Sequence, residues 1–141
     1  MIPTAVPARG DHWLRAFFYG LLAEIATIVT IIAIVLLYRY VLAKGLTDAE
    51  YAAFGARVGG MVGIIGGTLY TFLFARAVTH RLAARRIAHG IVVALAAIAL
   101  SVGGSLAGHH GLPAGYLLAT MLKLAAGALA GYLTRTATAT E

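Results

Sequence analysis

The sequence lacks three residue types that often build functional sites. Cysteine, asparagine and glutamine do not occur among its 141 residues. Without cysteine there can be no disulfide, no thiol catalysis and no thiolate metal site. Without the two amides, the hydroxyls of serine, threonine and tyrosine are the main neutral side chains able to recognise a polar molecule. An elaborate polar binding pocket is therefore not expected.

Charged residues are also scarce, and apolar residues are abundant. Only 11% of the residues are charged and 61% are hydrophobic, and the mean hydropathy is +0.89. This composition is too apolar for a soluble domain of this size. The net charge of +6 comes from basic residues beside the apolar runs, where membrane topology and anionic lipids explain it. Nucleic-acid binding is therefore not expected.

The apolar residues form four long runs, each long enough to cross about 30 Å of hydrocarbon. The predicted fold is all-α: a polytopic membrane protein with a bundle of four transmembrane helices, expected in the cell membrane, or the inner membrane if the source is a bacterium. The predicted spans are about 16–40, 58–78, 87–107 and 113–133, within a transmembrane domain 16–134 between tails 1–15 and 135–141. Thr47 and Glu50 have capping-box spacing, so the second helix should begin near Asp48. Pro113 suits the first position of the fourth helix.

The arginines indicate how the four spans are oriented. Four of them lie in and around the connection between the second and third spans: Arg76, Arg81, Arg85 and Arg86. Four spans place both termini on the side of this connection, and by the positive-inside rule that side is cytoplasmic. We also expect this basic loop to be able to bind anionic lipid headgroups or an acidic partner surface.

Small residues recur every four positions on two of the spans, and the third span adds a set of its own: Ala97, Ser101, Gly104, Ser105 and Gly108. The second span carries Gly55, Gly59, Gly63 and Gly67, and the fourth carries Gly115, Ala119, Gly127 and Gly131. Such stripes let membrane helices approach closely. One interpretation is that they pack the bundle internally. The other is that one stripe, most readily that of the second helix, contacts a second copy or a larger membrane complex.

Two charged residues lie within the spans, Glu24 in the first and Lys123 in the fourth. Each would cost at least about 2.5–3.5 kcal/mol if left unpaired in the bilayer. At 1.5 Å per residue they lie roughly 10–12 Å and roughly 15 Å from the cytoplasmic edge, so an ion pair is predicted. The pair would either fix helix register or act as a proton-coupled, substrate-binding or gating site. A third possibility is that Lys123 extends to the interface or contacts another subunit.

The segment Tyr19-Gly20-Leu21-Leu22-Ala23-Glu24-Ile25 resembles the first helix of small multidrug-resistance transporters. In that family a single membrane glutamate exchanges protons for cationic drugs, so the resemblance implies this role for Glu24. The chain departs from the family in its long first connection, in the lysine of its fourth span, and in its only tryptophan, Trp13, which precedes the first span.

No enzyme activity, cofactor or metal is expected from the remaining residues. Glu24 is the only acid within a span, so paired carboxylates are missing. His109 and His110 are adjacent with no acid nearby, and His80 and His89 are placed at the membrane interface, so neither pair suits a metal or haem. The function predicted first is a self-associating or accessory subunit of a membrane complex. The alternative is a small ion- or proton-coupled transporter or pore that uses Glu24 and Lys123.

Overall fold

The computed structural model describes residues 12–82, 84–108 and 115–137. They form four α-helices: α1 (Trp13–Leu37), α2 (Asp48–Thr79), α3 (Arg86–Ala107) and α4 (Tyr116–Ala137), with a π-helical turn Tyr38–Leu42 continuing α1. These described ranges contain no strand. All four helices are long and apolar enough to cross a membrane, so the predicted all-α fold with four helices of spanning length is confirmed.

The second helix begins where the capping box predicted. The Glu50 backbone N–H donates to Thr47 Oγ1 at 3.4 Å, and the Thr47 N–H donates to Glu50 Oε2 at 2.8 Å. Two of the free amide groups at the helix start are thereby satisfied. With 32 residues, α2 is about 48 Å long and exceeds the hydrocarbon thickness, so it must tilt or project from a bilayer. The predicted role of Pro113 lies outside the described residues.

The helices pack around the bundle in the order α1, α2, α4, α3. Each helix therefore contacts two neighbours along the sides, and α2 also contacts α3 across the middle. Helices α1 and α4 occupy opposite corners. A contact between side chains of α1 and α4 must consequently cross the centre of the bundle.

The outward surface of the bundle is apolar. Large side chains of α1 such as Phe18, Ile25 and Val29 are about half exposed, at 54%, 48% and 57%. Continuous exposed apolar surface of this kind is unfavourable in water and is the surface that lipid chains cover. The exposed residues and the four apolar helices together fit a small membrane protein.

The half of the bundle that holds the start of α1 and the end of α4, here called the basic half, is tightly packed. Its core consists of buried small and medium-sized residues: Ala16, Ala75, Val78, Leu82, Val93 and Ala130. At Gly90 of α3 and Gly127 of α4 the two backbones are so close that a Cβ on either glycine would overlap the other's carbonyl. Gly20 of α1 has the same relation to the Val93 carbonyl. The helices of this half leave little space between them.

The opposite half begins with a connection that holds α1 to α2. The ring of Tyr38 stacks on Phe54, with centroids 3.6 Å apart. The hydroxyl of Tyr51 donates to the Ala43 carbonyl at 2.7 Å and accepts from the Leu46 N–H at 3.2 Å. These contacts fix α1 against α2 at this end.

Candidate functional site

Glu24 and Lys123 form a buried ion pair at the centre of the bundle. Lys123 Nζ lies 2.5 Å from Glu24 Oε2, and their side chains are only 4% and 7% exposed. Because α1 and α4 occupy opposite corners, the pair joins two helices that are not neighbours. A hydrogen bond between ionised groups in such an environment is stronger than a neutral one, and removing either partner leaves an uncompensated charge.

Gly67 makes room for the lysine side chain. A Cβ at this position would stand 2.8 Å from Lys123 Cε and 3.7 Å from the Thr27 methyl group. The nearby hydroxyls are already used, since Thr27 donates to the Ala23 carbonyl at 2.9 Å and Thr71 to the Gly67 carbonyl at 2.7 Å. Their protons are donated within their own helices and therefore do not bond to the Glu24 carboxylate. The ammonium is directed to Glu24.

A cavity of about 260 Å³ lies directly against the ion pair, in the half opposite the basic half. Glu24 and Lys123 form its floor. Its α2 wall is made by Gly59, Gly60 and Gly63, and a Cβ on any of these three glycines would meet no atom of the described residues within 4 Å. Gly60 is exposed and the other two are half-buried, so the cavity communicates with the surface of the bundle.

Hydroxyl groups line the other walls of the cavity. Ser101 and Ser105 come from α3, and Tyr116 and Thr120 come from the first turns of α4. All four are half-buried. The Tyr116 hydroxyl donates weakly to the Ile98 carbonyl at 3.4 Å. The cavity thus combines a charged floor with hydroxyls that can donate or accept hydrogen bonds.

The four glycines of the α2 stripe do not share one role. Gly59 and Gly63 face the cavity instead of a helix, so that interpretation does not hold for them, and Gly55 meets only a Val35 methyl group at 3.8 Å. Gly67 accommodates Lys123. The sequence spacing is the same at all four positions, and only the placement of α3 and α4 distinguishes them.

The stripe of α4 divides into two parts. A Cβ at Gly115 would lie 3.1 Å from an Ile64 methyl group, and Ala119 lines the cavity. Gly127 and Gly131 pack against α3, where a Cβ on Gly131 would lie 2.6 Å from Ile87 Cα. Their partner Gly90 belongs to none of the predicted sets of small residues. The signal that could have found it is Gly90 followed by alanines at 94 and 97, one helical face of small residues.

The four arginines of the predicted basic loop separate into two kinds. Arg86 donates to the Leu82 carbonyl at 2.6 Å and to the Thr134 carbonyl near the end of α4, so it ties α3 to α4. Arg76, Arg81 and Arg85 are exposed at the same end of the bundle.

His89 is buried in the first turn of α3, where its ring stacks on Trp13 with centroids 3.9 Å apart. Its Nδ1 lies 2.9 Å from the Arg85 carbonyl. Because a carbonyl only accepts, Nδ1 is the donor in this contact, and Nε2 has no hydrogen-bond partner in the described part of the chain. No group of three His, Cys, Asp or Glu residues in those ranges could hold a metal ion. His109 and His110 lie outside them.

Comparisons with protein-family models, with curated proteins and with solved structures find no match for this chain. The resemblance to the small multidrug-resistance transporters therefore stays limited to the seven residues that carry it. Because fold alone does not determine function, the function must be inferred from the site.

Proposed function

We propose that this chain is a non-enzymatic membrane protein that admits a small polar solute into the cavity above Glu24 and Lys123, as a small transporter or pore. One observation supports this proposal: the buried ion pair lines a cavity whose other lining residues all lie in the half opposite the basic half. A pair that only fixed helix register would need no space beside it. Charged residues that face a cavity within a membrane commonly mark a solute or ion pathway.

The sidedness of the pathway follows from the arginines. If they mark the cytoplasmic side, both termini are cytoplasmic and the cavity opens toward the other side of the membrane. The packed basic half, where Gly90 meets Gly127, then closes the route to the cytoplasm. Passage of a solute requires the ion pair to open and these helices to separate, which is a two-state rearrangement of packed helices.

The exposed arginines support a further part of the proposal. Arg76, Arg81 and Arg85 would lie at the cytoplasmic surface, where anionic lipid headgroups attract basic side chains. Binding of headgroups there would hold the basic half at the interface and reinforce the orientation.

The second candidate function is self-association or docking to a larger membrane complex. Gly103 and Gly104 of α3 favour it, because both are exposed with open space beside the backbone. Small residues on an outward face are typical of contacts between membrane helices. The first candidate requires the α2 glycines to line a pathway, whereas the second requires a glycine face of α2 or α3 to contact another chain.

Thiol labelling tests the first candidate, since the native chain has no cysteine. With a membrane-impermeant reagent added from the non-cytoplasmic side, we expect Ser101→Cys to react at least about tenfold faster than Ala97→Cys. Ala97 is fully buried one turn deeper in α3. Adding Gly63→Ile should fill the cavity and slow the labelling of Ser101→Cys, whereas the control Gly104→Ile should leave it unchanged.

The same variants discriminate the second candidate. Equal labelling of the two cysteines, or labelling of Ser101→Cys from the cytoplasmic side alone, contradicts the proposed pathway. The oligomeric mass in mild detergent should be the same for the native chain and for Gly63→Ile. A fall in mass caused by Gly63→Ile would instead make the α2 stripe an interface between subunits.

A further inference from the structure

The charge balance of the cavity floor indicates what kind of solute it accepts. We infer that the cavity binds a small zwitterion whose ammonium and carboxylate groups are close together, as in an α-amino acid. The inference rests on the proposed function, because it names the class of solute that enters. The floor holds one negative and one positive group in direct contact, with Nζ and Oε2 2.5 Å apart. Its net charge is zero.

An ion of either sign fits this floor poorly. A cation would have to compete with Lys123 for Glu24, and an anion would have to compete with Glu24 for Lys123. Either ion would also bring a net charge into a site surrounded by apolar helices, which is costly. The cationic drug that the resemblance implied is therefore disfavoured, since the lysine already occupies the place of the cation.

A zwitterion adds no net charge and finds partners for both of its ends. Glu24 uses Oε2 for the lysine, so Oε1 is left as an acceptor for an ammonium group. Lys123 has three N–H donors, and the bond to Glu24 is the only one found for it within the described ranges. A ligand ammonium beside Glu24 and a ligand carboxylate beside Lys123 would complete a square of alternating charges.

The distance between the two charged groups and the residues of the cavity walls further restrict the class of ligand. Because the two protein charges touch, the ligand charges must also be close, and in an α-amino acid a single carbon separates the groups. The volume of about 260 Å³ compares with about 30 Å³ for a water molecule in the liquid, so it has room for such a molecule with a small side chain. Ile64 and Ile98 form an apolar wall, while Ser101 and Thr120 offer hydroxyls to the carboxylate.

Titration calorimetry on the full chain in lipid nanodiscs tests this inference with four probes. L-alanine is the zwitterion, propionate is alanine without its ammonium group, ethylammonium is alanine without its carboxylate, and glycerol is neutral and polar. We expect alanine to bind at least about tenfold more tightly than each of the others. Gly63→Ile, which fills the cavity without changing a charged residue, should abolish alanine binding.

Variants of the two charged residues extend the test. Glu24→Gln and Lys123→Met should each weaken alanine binding by about a hundredfold, and the exposed control Lys44→Met should leave it unchanged. If propionate, ethylammonium or glycerol binds as tightly as alanine, the inference of a zwitterionic ligand is overturned. The cavity would then still be a site for a solute of another kind. Failure of all four probes to bind also overturns the inference. The proposed function falls as well only if the labelling of Ser101→Cys and Ala97→Cys also contradicts the pathway.

Discussion

Replacing Lys123 with methionine should lower the free energy of unfolding by about 3–5 kcal/mol, because it leaves Glu24 as a buried and unpaired carboxylate. The interaction joins opposite corners of the bundle, so its loss loosens α1 and α4 together. Reversible unfolding in mixed detergent micelles measures the change. The matched control is Lys44→Met, at an exposed lysine, which should alter stability by less than about 0.5 kcal/mol.

A double variant measures how much of the stability effect comes from the interaction between Glu24 and Lys123. Glu24→Gln combined with Lys123→Met removes both charges, so it should lie closer to the native stability than Lys123→Met alone. The resulting coupling energy should be at least about 2 kcal/mol. Losses that simply add would show that the two residues do not interact in the folded protein.

Adding one methyl group to Gly90 should destabilise the protein by about 1–3 kcal/mol. In Gly90→Ala the new Cβ overlaps the Gly127 carbonyl, and backbone is less able to move aside than a flexible side chain. The matched control is Gly59→Ala, where the new Cβ meets open cavity. It should leave stability unchanged or raise it by up to about 1 kcal/mol, because alanine restricts the unfolded chain more than glycine does.

Thermal unfolding in detergent, followed by circular dichroism, compares the two glycine variants. Equal losses would mean that Gly59 is packed as tightly as Gly90, and the division into a closed and an open half would then be wrong. A loss of stability in Gly59→Ala alone would support the prediction that the α2 stripe packs inside the bundle. The pair of variants thus probes the asymmetry of the bundle without altering any charge.

Much of the fold can be predicted from local sequence features. Four apolar runs can only be long helices in a chain with so few polar residues, and Thr47 and Glu50 mark the start of α2 through bonds made within four residues. These features act over one helix at a time. For that reason they are readable without knowledge of how the helices are arranged.

The arrangement itself could not be read in this way. Gly63 and Gly67 are one turn apart on the same face, yet one lines a cavity and the other receives the stem of Lys123. Which of them meets a helix depends on the rotation and separation of α3 and α4. Gly90 shows the reverse case, since its close contact with Gly127 comes from a single glycine outside any stripe of glycines.

The site was partly predictable for an energetic reason. An unpaired charge is costly in lipid, and Glu24 and Lys123 were the two charges deep in the spans at comparable depth. The cavity was not predictable, because the absence of asparagine and glutamine argued against a polar pocket. Serine, threonine and tyrosine hydroxyls from α3 and α4 take that place, and their convergence is a tertiary property.

The chain contains only two lysines, so nuclear magnetic resonance of ¹⁵Nζ-labelled lysine in lipid nanodiscs tests most directly whether the buried ion pair exists. Lys44 is exposed and Lys123 is 3% exposed. We predict two ammonium signals, of which one has slowly exchanging protons and moves in Glu24→Gln while the other does not. Two rapidly exchanging signals that are both unaffected by Glu24→Gln would contradict the ion pair and the site built on it.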